Sequence, residues 1–257
     1  MISTNFVFDG VNSEVKGLYL VRNSNGMFPL PYVSGRDIKE DYPSKARAPY
    51  FFNIQHQQPT ITLAFSTLTN DMNSNKLSEL ASWLFQDEYK EFYSEDNPNK
   101  IYYLMASNEI NFMTNGNNEG YFEVQFKSKF PYALTQEEEI VIDLSTNTSS
   151  TTVKLYNKDN VHKYYYPEIE ISVVSAVPSV ITFTNTSDTN RLTSFGGYVA
   201  GEIIYANNDR KQIISNLGTY LYDDFNKNWL RLVQGDNKIS ITGKCVVTFR
   251  MQFPVFT

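Results

Sequence analysis

From Ile140 onward, no stretch of this chain carries apolar residues at the three-and-four spacing of a helix. The runs VIDL, TVKLY, EIEISVV, SVITFT, GYVAGEIIY, KQIIS, TYLY, NWLRLV and KISITGKCVVTFRMQF are apolar or alternating. Polar clusters such as Asn185-Thr186-Ser187-Asp188 and Asn207-Asn208-Asp209 separate them. Strands recurring at roughly 8–12 residues, with turn chemistry between them, build a sandwich or jelly roll. The second part of the chain is therefore confined to sheet-on-sheet architecture.

The first part closes on YFEVQFKSKFPYAL, residues 121–134. Phe122, Val124 and Phe126 alternate with Glu123, Gln125 and Lys127, so one pleat face is apolar and the other polar. Burying three such side chains contributes roughly 5–9 kcal/mol before entropy is counted, which places the strand in a main core. Pro131 removes a ladder donor and biases Phe130 towards an extended conformation, and the polar run Gln136-Glu137-Glu138-Glu139 follows. The expected organisation is one domain over residues 1–134 and another over 135–257.

Within the first domain, FVF and GLYLV read as short strands, with Asp9-Gly10 as a turn. Residues 50–57 and 60–65 read as two more, and residues 89–93 and 100–105 as a hairpin around Ser94–Asn99. Leu77, Leu80, Ala81, Leu84 and Phe85 form an apolar helical stripe, with Ser74 or Asn75 as N-cap and Trp83 off its centre. Residues 23–49 hold Pro29, Pro31, Pro43 and Pro49 within a mixed-charge segment too long for an ordinary connection. Two readings stand for that segment: an arm that orders against a neighbour, or a mobile surface loop. Arg36, Asp37, Lys45 and Arg47 are its candidate interface contacts, against the plainer reading of solvated charge.

Composition narrows function. The chain has 257 residues, 15% aromatic and 19% charged, with a formal charge of −6, which argues against both disorder and a nucleic-acid-binding surface. Its one cysteine, Cys245, excludes an intrachain disulfide and reads as a small buried apolar residue. No basic, apolar leader is visible at the N-terminus and no apolar run is long enough to span a membrane, so the expectation is a protein folded in a cytosol. Asn147 and Asn185 match glycosylation acceptors but read as polar turn residues. Neither His56 nor His162 has ligand-spaced partners, and no nucleophile elbow or phosphate loop is present, so neither a cofactor nor a metal is expected. Asp223 and Glu202 are weak carboxylate candidates for an enzyme. Tyr222, Asp223 and Trp229, with Tyr220, Phe225, Asn226 and Asn228, have the chemistry of a sugar-stacking face, but packing of these aromatics under loops is the favoured reading.

In order, FVFDGV, GLYLV, SGRD, LSELASWL, FYSEDNPNKIYYLM, EGYFEVQFKSKFPYAL, YPEIEI, GYVAGEIIY and WLRLVQGDNKISITG resemble segments of the distal tail proteins of long, non-contractile-tailed bacteriophages. No single motif among them is diagnostic; their order along nearly the whole chain carries the resemblance. It implies a mainly β protein: an N-terminal β-sandwich with one helix and a long arm, then a galectin-like jelly roll. It further implies a homohexameric ring joining the tail tube to the tip or baseplate. Partners would be the major tail protein, a tail-associated lysin or tip protein, and receptor-binding proteins. Genomic DNA would pass through the ring without specific binding, no membrane would be engaged, and the virion tail would be its location. HKYYY around His162 lacks the His-Asn-Arg set with which galectins hold sugar, so sugar binding does not follow from the likeness. A carbohydrate-binding module that recognises cell-wall polysaccharide remains the alternative from a different class.

Overall fold

The computed structural model describes residues 5–21, 35–44, 47–67, 73–108, 111–114 and 120–256. The chain divides into two compact units, Met1–Leu134 with Phe256–Thr257, and Thr135–Val255. Unit 1 contains β1 (Phe6–Phe8), β2 (Val11–Asn12), β3 (Leu18–Val21), β4 (Arg36–Asp41), β5 (Tyr50–His56), β6 (Thr60–Thr67), α1 (Ser74–Leu84), β7 (Lys90–Ser94), β8 (Tyr102–Ala106), β9 (Phe112–Thr114), β10 (Gly120–Ser128) and β11 (Ala133–Leu134).

Its main sheet runs β2-β1-β7-β8-β10-β6-β3, with β9 also on β10. The alternation legible in residues 121–127 is realised on β10, where Phe122, Val124 and Phe126 are buried and pair with Phe65, Leu63 and Ile61 of β6. β1 lies three strand positions from β10, about 14 Å in a flat sheet. Yet the rings of Phe8 and Phe126 are 5.9 Å apart, and those of Phe6 and Phe65 5.3 Å. The sheet therefore curls back on itself, with Phe6, Phe8, Phe65, Phe92, Phe122 and Phe126 at its centre. The entry turn fits this curl: Asp9 (φ 51) and Gly10 (φ 72) both take the left-handed conformation that tight two-residue hairpins need.

Helix α1 covers the core, rotated from the stripe read in the sequence. Leu80, Trp83 and Leu84 are buried, while Ala81 and Phe85 are exposed. Two causes are visible. Trp83 turns inward to donate its indole N–H to the Phe8 carbonyl at 3.2 Å, with its ring stacked 5.9 Å from that of Phe6. Phe85, meanwhile, is the C-cap and has left helical geometry. The N-cap is Asn73, not Ser74 or Asn75; its Oδ1 accepts from the backbone N–H groups of Asn75 and Lys76 at 3.1 and 3.0 Å. We expect Asn73→Ala to destabilise unit 1 by about 1 kcal/mol, read as an earlier urea midpoint with unchanged slope.

Unit 2 contains β12 (Glu138–Asp143), β13 (Ser150–Asn157), β14 (Tyr164–Tyr165), β15 (Glu168–Val173), β16 (Val180–Asn185), β17 (Arg191–Gly196), β18 (Ile203–Asn207), β19 (Gln212–Ser215), β20 (Leu232–Val233), β21 (Gly235–Thr242), β22 (Cys245–Met251) and β23 (Pro254–Val255). A five-stranded sheet, β12-β22-β15-β18-β19, faces a four-stranded one, β13-β21-β16-β17. Rings from the two sheets meet edge to face at Phe183 and Phe249, 6.3 Å apart. All the ladders are antiparallel, and the whole is a β-sandwich.

The run KISITGKCVVTFRMQF is two strands, because β21 and β22 belong to opposite sheets. The chain changes sheet at Gly243 (φ 117), where an added Cβ would lie 2.7 Å from Ile181 Cγ1. TYLY is not a strand, and only Leu232–Val233 of NWLRLV is one. RLTSFG, unremarked in the sequence, is the edge strand β17. Buried amides explain the polar clusters. Asn185 donates to the Arg231 carbonyl and to Asn237 Oδ1, both at 2.9 Å, and Asn237 Nδ2 donates to the Val233 and Gly235 carbonyls. Asn185 is fully buried, so its sequence match to a glycan acceptor is a structural amide.

Candidate assembly surface

The feature of unit 1 that its own core does not account for is the ribbon β4–β5, a two-stranded sheet outside the main one. Every described residue of both strands is exposed. Ile38 faces Ile54 across the ladder, and a bulge after Lys39 sets Phe51 and Phe52 against the single residue Glu40. Phe51 and Phe52 are 60% and 67% exposed, Tyr50 64% and Ile38 55%. An isolated two-stranded hairpin is marginal in water, and open edges carrying large apolar side chains invite association. Covering each of these aromatics would contribute about 1.5–3 kcal/mol, so the ribbon has the chemistry of an arm that docks.

Two of the sequence-predicted contacts, Arg36 and Asp37, lie on β4, where Asp37 Oδ1 accepts from Gln57 Nε2 at 3.0 Å. Arg47 is exposed in the connection, and Lys45 lies outside the described residues. Sequence reasoning did not assign Phe51, Phe52 and Ile54 to the arm, and within it singled out charged residues and not Ile38. The available signal was YFF, three successive aromatics that no single buried pleat face can absorb.

In unit 2 the structure places Tyr222, Asp223 and Trp229 in the segment between β19 and β20. Trp229 rests on buried Phe225, with ring centroids 4.7 Å apart, and the Tyr222 hydroxyl accepts from the Ile213 N–H of β19 at 2.8 Å. Asp223 and Tyr220 are exposed. Asn226 is committed to the free edge of β17. Its Oδ1 accepts from Ser194 N–H at 3.2 Å, its Nδ2 donates to the Leu192 carbonyl at 2.9 Å, and its own N–H donates to the Ser194 carbonyl at 3.3 Å. The Asp224 carbonyl accepts from Gly196 N–H at 3.1 Å. Tyr222 and Asn226 thus bond to edge-strand backbone groups, while Asp223 and Tyr220 face solvent.

The titratable groups are equally occupied. Glu202 is fully buried; burial alone would push its carboxyl up, but bonds from Ser215 Oγ, the Val199 N–H and Thr219 hold it below the usual range. A carboxyl so stabilised as the anion is a poor general acid. Burial pushes the Cys245 thiol up to about 11, as expected of an inert core cysteine. Among the described residues no cluster of three or more His, Cys, Asp or Glu side chains is arranged to hold a metal.

His162 Nδ1 lies 3.1 Å from buried Asp159, whose hydrogen bond outweighs partial burial and raises the imidazole pKa, helped by the charge of Asp209. A pKa higher in the folded than in the unfolded state gives stability that is fully present below about 6.5, the ordinary value, and is lost as pH rises through the folded value. The melting temperature of unit 2 should therefore fall as pH is raised from that value, and His162→Gln should flatten the profile in thermal melts.

Family models described as the phage tail protein N-terminal domain and the phage tail C-terminal domain match residues 1–129 and 132–251. The chain belongs to this phage tail protein family. A relative, the SPbeta prophage-derived uncharacterized protein YomH of Bacillus subtilis (strain 168), is 25% identical over 251 residues, covering 96% of each chain. Among solved structures, the Dit protein of phage SPP1, described as a paradigm of hub adsorption apparatus in Gram-positive-infecting phages, superposes with a TM-score of 0.69 at 11% identity. That match covers 97% of this chain and 98% of the SPP1 protein. A chain of the phage P2 baseplate, in its activated conformation with Ca, gives 0.51 at 10% identity over 99% of each. The tail protein thus has the Dit fold, mainly β with one helix among the described residues, and is a component of the phage tail.

Proposed function

We propose that this tail protein is a non-catalytic hub. Six copies form a ring through residues 1–134, the ring joins the tail tube to the tip, and residues 135–257 are the outer docking platform for tip and receptor-binding proteins. The observation that carries the reading is the β4–β5 ribbon, whose exposed Phe51, Phe52 and Ile38 match an arm laid on the adjacent copy. Arg36, Asp37, Lys45 and Arg47 would be the polar contacts of that arm. The partners on this reading are the major tail protein and a tail-associated lysin or tip protein. The net charge of −6 suits a channel past which DNA slides without adhering.

Mass photometry or native mass spectrometry provides the test. A species of six 29.6 kDa chains is expected, alone or once the tail-tube partner is added. A chain that stays monomeric in both conditions at high concentration would overturn the ring. Cryo-electron microscopy of the assembled ring would read the lumen charge directly, and a basic lumen would overturn the DNA-passage reading.

A further inference from the structure

The outer face of the four-stranded sheet in unit 2 has a composition that its fold does not require. By register, Ser150, Thr242, Thr182 and Ser194 form one row across β13, β21, β16 and β17, and Thr152, Ser240, Thr184 and Leu192 form the next. The alternate positions Val153, Leu155, Ile181, Phe183, Ile239 and Ile241 point into the core. The outward face is thus a field of seven hydroxyl side chains about four strands wide, with Thr182 and Thr242 hydroxyls 2.6 Å apart. Along the same face, Lys154 lies directly opposite Lys238. Like charges paired across a ladder are destabilising, whereas an opposite charge at either position would stabilise it. The ion pairs of this unit are made by Lys158, His162, Arg231 and Arg250, and neither lysine takes part. The one carboxylate on the face, Asp236, is opposite Tyr156.

At its other end the first row opens into a depression of 590 Å³. Ser150 and Thr242 belong to both the row and the depression, and Asn147, Thr148, Ser149 and Lys244 complete its polar lining, with Val177 and Pro178 as an apolar wall. Lys244 also lacks an ion pair among the described residues. Lys238 and Thr242 are four residues apart on β21, about 13 Å at strand rise, and Lys244 follows just beyond the change of sheet at Gly243. A cation pair, a hydroxyl floor and a third cation in a recess therefore lie along one track.

We propose that this track binds an anionic, polyhydroxylated polymer of the polyol-phosphate type. Spaced negative charges would meet Lys154 with Lys238, and Lys244, while the Ser and Thr hydroxyls exchange hydrogen bonds with the polymer's own hydroxyls. Charge complementarity selects this occupant over a neutral glycan, which would leave the lysine pair uncompensated. The hydroxyl floor selects it over a bare polyanion. The lysines of the track lie on β13, on β21 and at Lys244, whereas Tyr222 and Asn226 of the Tyr222–Trp229 segment are committed to backbone groups of β19 and β17.

The test uses the full chain, with poly(glycerol phosphate) as probe and neutral dextran and inorganic polyphosphate for comparison, in calorimetric titrations at two salt concentrations. Poly(glycerol phosphate) should bind more tightly than either comparison polymer and weaken with salt, as a charge-dependent contact does. The triple variant Lys154→Ala, Lys238→Ala, Lys244→Ala should bind about tenfold or more weakly, equivalent to about 1.4 kcal/mol. Lys127→Ala, an exposed lysine of unit 1, should bind as the parent does. Thr184→Val, which keeps the β-branched shape and removes a hydroxyl, should lower affinity for poly(glycerol phosphate) but not for polyphosphate. Absence of binding by the parent chain would overturn the proposal. So would a triple variant that binds like the parent, or polyphosphate binding as tightly as the probe.

Discussion

Val124→Asp should abolish folding of unit 1. Val124 is fully buried on β10 and paired with Leu63, in the strand from which β6, β8 and β9 are all organised. Its neighbours on the inner face are Phe122 and Phe126, and no Lys or Arg is among the buried described residues. An unpaired carboxylate there loses its hydration without compensation, an effective cost of several kcal/mol after relaxation, or else it takes up a proton and still leaves a polar group unsatisfied. Either cost is set against a net stability of about 5–15 kcal/mol for a whole domain. Hydrogen exchange would show the result directly: amides of β6, β8 and β10 should lose protection, while those of β21 and β22 in unit 2 keep theirs. Retained protection in β10 would mean that this core tolerates the charge and that its closing strand has been misjudged.

The second large effect belongs to the ribbon. Replacing Phe51 and Phe52 together by Asp should leave each copy folded, because neither side chain contributes to the buried core. It should still dissolve any ring built through the arm. Aromatic anchors at protein interfaces are commonly worth about 2–4 kcal/mol each, and a charge in their place adds a desolvation cost. Repeated around a ring, a loss of that size at every contact shifts the mass distribution from the assembly to single chains at micromolar concentration. Far-ultraviolet circular dichroism should be unchanged. If the double variant assembled like the parent, the copies would be joined through another surface.

How far the sequence disclosed this fold depended on burial. β10 and the hairpin β7–β8 were readable because one face of each is dry, and an aqueous boundary imposes alternation. β4 was not readable: RDIKED is wet on both faces, so nothing selects an apolar period, and it passed for part of a loop. Pairing with β5, rather than pattern, makes it a strand. The helix was found but rotated, because apolar spacing ranks Phe85 above Trp83, whereas the indole N–H finds a backbone carbonyl and the cap does not need to be buried. TYLY failed in the opposite direction. Its alternation is that of a strand, yet Tyr222 uses its hydroxyl, not its backbone, to meet β19. The lysine pair on the outer sheet was invisible for a simpler reason: Lys154 and Lys238 are 84 positions apart, and only the β13–β21 register brings them together.

The segment from Asp224 to Asn226 also bears on how such a protein survives before assembly. By occupying the Leu192, Ser194 and Gly196 backbone groups, it denies β17 to any passing strand. Sheet edges are where identical chains aggregate. Asn226 is therefore a guard of solubility. Shortening this segment should leave a sandwich that folds but precipitates, because the β17 edge would then be open to strand addition.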